Sequence, residues 1–170
     1  TYSAGISLIS VPFDYANDSS TERGNPCLVF GLTSTSPVKS DFNFMTWLVG
    51  EFHEYPNLPA DRVKLGVAYF LYSPSTVRPV MASDGVVGLE SAKPDPFAIS
   101  VYTGWNLIGV PYHGNEAAYS VRLYGDAVGV IAGGTRYSIR DAISSGIIKA
   151  GLWWYTGGRY ELSYSLDEWK

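Results

Sequence analysis

The sequence has one cysteine, Cys27, and two histidines, His53 and His113. One cysteine excludes an internal disulfide and does not identify a redox compartment. Three such residues are too few for a structural zinc site, and the two histidines lie too far apart for the helical-turn pair of a metalloprotease. Lysine is scarce, at five, and no two of the twelve basic residues are adjacent. With a net charge of -4, this argues against a nucleic-acid partner, since phosphate binding needs clustered Lys and Arg. Nowhere does a helical period persist for 20 residues. Residues 97–115 lack charge, but they alternate and contain Gly104 and Pro111, so no membrane insertion is expected. No targeting segment opens the chain at Thr1, so the expectation is that a signal was removed or the chain was cut.

What is abundant points to β-structure. Thirteen Tyr, five Trp and 18 Gly stand in a chain of 46% hydrophobic and 16% charged residues. Aromatics favour strands, glycines mark turns and bulges, and 170 residues can bury a real core. Period-two patterns predict strands near residues 6–11, 27–30, 63–72, 86–89, 99–102, 105–110, 119–124, 152–155 and 160–164. Gly157-Gly158 predicts a tight hairpin turn, with a looser equivalent in Trp47 to Phe52. One short helix is expected after Ser138 as N-cap, carrying Ile139 and Ile143 and ending at Gly146. Asp41 is a second candidate helix start, for a single turn.

The chain also repeats itself. Gly5-Ile-Ser-Leu-Ile-Ser-Val-Pro-Phe13 matches Gly104-Trp-Asn-Leu-Ile-Gly-Val-Pro-Tyr112 at Gly, Leu, Ile, Val and Pro. Trp47 to Tyr55 likewise resembles Trp154 to Leu162, at an offset of 107 to 108. Two copies of one unit normally pack together. The expected fold is therefore all-β with one short helix, two pseudo-repeated halves forming a β-sandwich or paired small β-barrels. The halves are residues 1–92 and 97–170, with a short linker at 91–96. The first copy runs on into the strand pattern of 63–72, whereas the second stops at Lys170 where that strand should begin. A sheet lacking its last strand carries an open edge that something must cover.

Gly104-Trp-Asn-Leu-Ile-Gly-Val-Pro111 resembles the GWNLISLP-type motif of repeated β modules in secreted and cell-surface, S-layer-like proteins of bacteria and archaea. Trp153-Trp154-Tyr155, the Gly-Gly turn and Leu166 to Lys170 resemble the later part of that module. The first copy departs from it, with Ile6 and Ser7 replacing Trp and Asn. The resemblance implies a mostly non-catalytic surface or accessory unit and supplies no catalytic residue.

The residues themselves give little chemistry. Cys27 sits in an apolar run and reads as a buried hydrophobe rather than a nucleophile. Ser36-Pro-Val-Lys39 has the Ser-x-x-Lys spacing but neither the helix nor the companion motifs that it needs. Glu51 and Glu54 flank His53 on one short segment and read as a solvated face, not as a pair of carboxylates across a cleft. Gly129 to Gly134 lacks the Lys and Ser/Thr of a phosphate loop.

Two constellations remain. Asp14, Asn17, Asp18 and Glu22 concentrate oxygen ligands of the kind calcium takes, without EF-hand spacing; a plain polar loop is the simpler reading, and no other cofactor is expected. Asn17 also begins a glycosylation sequon. Trp47, Trp105, Trp153, Trp154, Trp169 and the tyrosines are candidates for an interface or a ligand surface; in Trp153-Trp154 the neighbours must face opposite ways on a strand, so one is expected to point outward or into a partner. The expectation is a non-enzymatic extracellular or cell-surface structural protein. Its partners would be copies of itself, joined through strand edges in a filament, tube or layer. The alternative is an accessory domain of a larger secreted protein, binding polysaccharide.

Overall fold

The structure, a computed structural model, describes residues 1–11, 15, 24–32, 41–79, 98–109, 128–156 and 159–163. The chain forms two compact units, Thr1–His113 and Gly114–Lys170. Among the described residues it is mostly β, with two short helices rather than one.

In the first unit, β1 (Gly5–Ser10), β2 (Asn43–Leu48), β3 (Glu51–Glu54) and β4 (Ala68–Ser73) make a four-stranded sheet in the order β1-β4-β2-β3. Every pairing is antiparallel, with Leu8 opposite Phe70, Met45 opposite Phe70 and Trp47 opposite Phe52. Alternation then assigns the faces. One face carries Ile9, Phe44, Thr46, Tyr69 and Leu71, all buried. Helix α1 (Pro26–Val29) and the residues after it add Cys27, Val29 and Phe30 to the same core cluster. Its centre is aromatic: Phe44 stacks on Tyr69 at 4.3 Å, and Phe30 lies 6.1 Å from both Phe42 and Phe44. Each large side chain fully buried in this way contributes about 1.5–3 kcal/mol.

Three local expectations are corrected here. Residues 27–30 form α1 and not a strand, because Pro26 pre-sets the first helical turn and the Asn25 side chain accepts from the Cys27 N–H at 2.9 Å. No helical turn follows Asp41: β2 starts at Asn43, where burying Phe44 and Thr46 overrides the capping signal. The strand expected over 63–72 is shorter and begins at Ala68. Before it, Val63 N–H donates to Gly24 O at 2.7 Å, and the Tyr69 hydroxyl donates to Arg62 O and accepts from Lys64 N–H.

The strands expected at 99–102 and 105–110 are absent from the described residues 98–109, apart from one bridge between Ile108 and Val67. The Asn106 side chain is the reason. It accepts from Tyr102 N–H at 2.8 Å and donates to the carbonyls of Tyr102 and Gly104, closing a loop where a ladder would have to run. This segment belongs to the first unit, and Gly109 N–H donates to Gly66 O at 2.9 Å.

Among its described residues, the second unit holds two ribbons. Strands β5 (Gly129–Ala132) and β6 (Thr135–Ser138) form one, and β7 (Leu152–Thr156) and β8 (Arg159–Ser163) the other. Helix α2 (Ile139–Ser144) follows β6 directly. Ser138 caps it as expected, accepting from Asp141 N–H, and Gly146 beyond its end takes φ 70°. The β7–β8 hairpin is also as expected, although Gly157 and Gly158 lie outside the described residues. So do the linker 91–96 and the strands anticipated at 86–89 and 119–124.

Candidate interaction surfaces

The sheet of the first unit is apolar on both faces. Opposite the core face lie Ile6, Leu8, Met45, Trp47, Phe52, Phe70 and Tyr72, all half-buried or exposed. Strand β4 reads Ala-Tyr-Phe-Leu-Tyr-Ser without apolar–polar alternation, the pattern of a strand covered on both sides. Trp47 meets Phe52 edge-on at 4.7 Å, and Phe52 meets Phe70 at 5.6 Å. The 98–109 segment covers one end of this face: Trp47 Nε1 donates to Trp105 O at 3.2 Å, and a Cβ on Gly109 would lie 2.6 Å from Ser10 Cβ. Further along, Ile6 and Phe52 remain exposed at 61% and 56%.

The two sheet edges differ in charge. Strand β3 is four residues long and carries Glu51, His53 and Glu54. His53 Nε2 stands 3.6 Å from Glu51 Oε1 and 3.3 Å from Leu48 O. Short, charged edges resist pairing with another chain. Strand β1 is six residues long and has no charged residue.

In the second unit, Trp153 lies opposite Leu162 in the ribbon and edge-on to Tyr160, with ring centroids 6.4 Å apart. Both aromatic rings are about half exposed. Trp154 is paired with Glu161 in the same register. The structure therefore places Trp47 on the half-exposed sheet face of the first unit and Trp153 and Trp154 on β7. Trp169 and the loop of Asp14, Asn17, Asp18 and Glu22 lie outside the described residues.

Two of the aromatic candidates lie in a loop and not on the expected strands. Trp105 and Tyr102 belong to the Asn106-closed loop and were assigned to strands; both are more than half exposed. Asn106 itself was the signal for that loop, since an Asn side chain competes with a strand ladder for nearby backbone groups.

Among the described residues, reactive groups are not brought together. Cys27 is fully buried, and burial pushes its thiol pKa up, away from the thiolate that a nucleophile requires. Asn25 Nδ2 donates to the Tyr55 hydroxyl at 3.1 Å beside it. Among the described residues no cluster of three His, Cys, Asp or Glu could hold a metal ion, and no helix is long and apolar enough to cross a membrane.

No protein-family model matches the chain, and neither a curated protein nor a solved structure matches it.

Proposed function

We propose that this chain is a non-enzymatic structural protein of the extracellular space or cell surface, self-associating through β-strand edges into a filament, tube or layer. The observation that carries this reading is the open β-structure among the described residues: one four-stranded sheet and two two-stranded ribbons, each ending there in edge strands. A two-stranded ribbon is marginal alone in water, and an added strand completes its hydrogen bonding. An apolar second face on the large sheet supports the same conclusion. The likeness of Gly104 to Pro111 to cell-surface β modules is the reason for the location.

Similarity between the two hairpins supports a repeated module, arranged as a sandwich or as paired barrels. Each has a two-residue loop, and aligning the loops sets the Trp47–Phe52 pair on the Tyr155–Tyr160 pair at an offset of 108. Light scattering and negative-stain imaging across a concentration series test the proposal. Ordered assemblies are expected, whereas a particle of one chain mass at every concentration overturns it.

The second reading, a polysaccharide-binding accessory domain, draws on the half-exposed Trp153 and Tyr160 rings. Retention on an insoluble polysaccharide, abolished by Trp153→Ala, would favour it over self-association.

A further inference from the structure

We propose that the outer edge of β1 pairs antiparallel with the outer edge of β1 in a second copy of the chain. The pairing runs across a two-fold axis perpendicular to the sheet, joining two four-stranded sheets into one continuous sheet. This rests on the reading of self-association through strand edges, and names the edge and its partner.

A two-fold joint sets an edge against itself, so every charge on it meets its own copy. At β3 this would bring together two sets of Glu51 and Glu54, a like-charge contact that opposes pairing. Strand β1, Gly-Ile-Ser-Leu-Ile-Ser, brings no charge at all. It is also the longer edge, and a long, uncharged, apolar edge is the kind that recruits another strand.

The faces limit the register. For the two cores to lie on one side of the joined sheet, residues of the same face must oppose each other, because a one-residue slip would turn Ile9 of one copy out of the core. Centring the joint on Ser7 satisfies this condition. Ile6 then opposes Leu8 of the partner subunit, Ser7 opposes its own copy, and Gly5 opposes Ile9 of the partner subunit. Ile6, 61% exposed, gains an apolar neighbour on the face that already carries Phe70 and Tyr72.

The test combines sedimentation velocity with cross-linking on the full chain. Ile6→Lys sets like charges diagonally across the joint at an exposed position, so its circular dichroism, and its melting temperature at concentrations too low for association, should match wild type. Its self-association should weaken by roughly a hundredfold or more. Ser7→Cys under mild oxidation should give a reductant-sensitive dimer, with Cys27 silent because it is fully buried. If the wild-type chain is monomeric at all concentrations, the association reading falls and takes this joint with it. If wild type assembles but Ile6→Lys assembles equally well, or Ser7→Cys does not cross-link, association stands and the β1 joint is overturned.

Discussion

The hairpins β2–β3 and β7–β8 are built alike and supported differently. Each closes through a two-residue loop, between Leu48 and Glu51 in one and between Thr156 and Arg159 in the other. Each sets an aromatic pair two residues from the turn. Yet β2 lies between β3 and β4 and sends Phe44 and Thr46 into a core where both are almost fully buried. Strands β7 and β8 pair only with each other among the described residues, whose one buried side chain there is Ser163. Turn and register are thus properties of a few adjacent residues, whereas stability depends on what packs against the ribbon.

One truncation in each hairpin would test this contrast most severely. Phe44→Ala should cost about 3–5 kcal/mol in chemical denaturation, since it removes the ring stacked on Tyr69 from a core with little room to relax. Leu162→Ala, at a half-buried position in β8, should cost about 1 kcal/mol. Equal losses would show that the second ribbon is as well supported as the first.

Alkali should act on the first unit. Burial pushes the Tyr15 phenol up to about 12, with Tyr2 adding to the shift, and burial also raises Tyr69. An unfolded tyrosine ionises near its ordinary pKa of about 10. The unfolded state therefore binds fewer protons above that pH, and stability should be intact below about pH 10 and fall from there towards pH 12. A loss on the order of 2 kcal/mol is expected from Tyr15. Denaturation midpoints recorded at steps from pH 8 to 11.5, for wild type and Tyr15→Phe, would check both sign and source.

Smaller effects belong to the turns. Val49 occupies φ 52° and Gly50 φ 87°, so both loop residues of the first hairpin are left-handed, as a type I′ turn demands. A β-branched residue is strained there. Val49→Asn should raise stability by about 1 kcal/mol, read as a higher denaturation midpoint with an unchanged slope. At the bottom of the scale, Arg159→Ala should shift the midpoint by less than about 0.5 kcal/mol. Its contact with Glu161, at 2.9 Å, joins a largely exposed arginine to a same-strand neighbour.

Legibility in the sequence followed the range of the deciding interaction. Strand β1, the ribbon β7–β8 and helix α2 were readable because alternation, a Gly-Gly turn and the Ser138 cap act within a few residues. The hairpin β5–β6 was missed although Gly133 and Gly134, at φ 57° and 81°, are also a Gly-Gly pair and close a two-residue turn. There the dipeptide was weighed only as a phosphate loop. Residues 27–30 misled because four apolar residues in a row fit a strand and a buried helical turn equally well, and Pro26 with Asn25 decided between them. The difference between the β1 and β3 edges was beyond reach, because which strands become edges is set by pairing order and not by local pattern. Of the tryptophan candidates, Trp153 lies on the expected ribbon, whereas Trp105 lies not on a strand but in a loop closed by the Asn106 side chain.

Gly5 and Gly104 head the two copies of the octapeptide with nearly the same angle, φ 102° and 98°. One opens a six-residue strand and the other a loop held by Asn106. The repeated glycine behaves as punctuation: it makes the chain change direction and leaves the next clause to be written by its surroundings. Grafting residues 104–109 into the place of β1 would carry over a corner, and a strand would have to be rebuilt from the company it keeps.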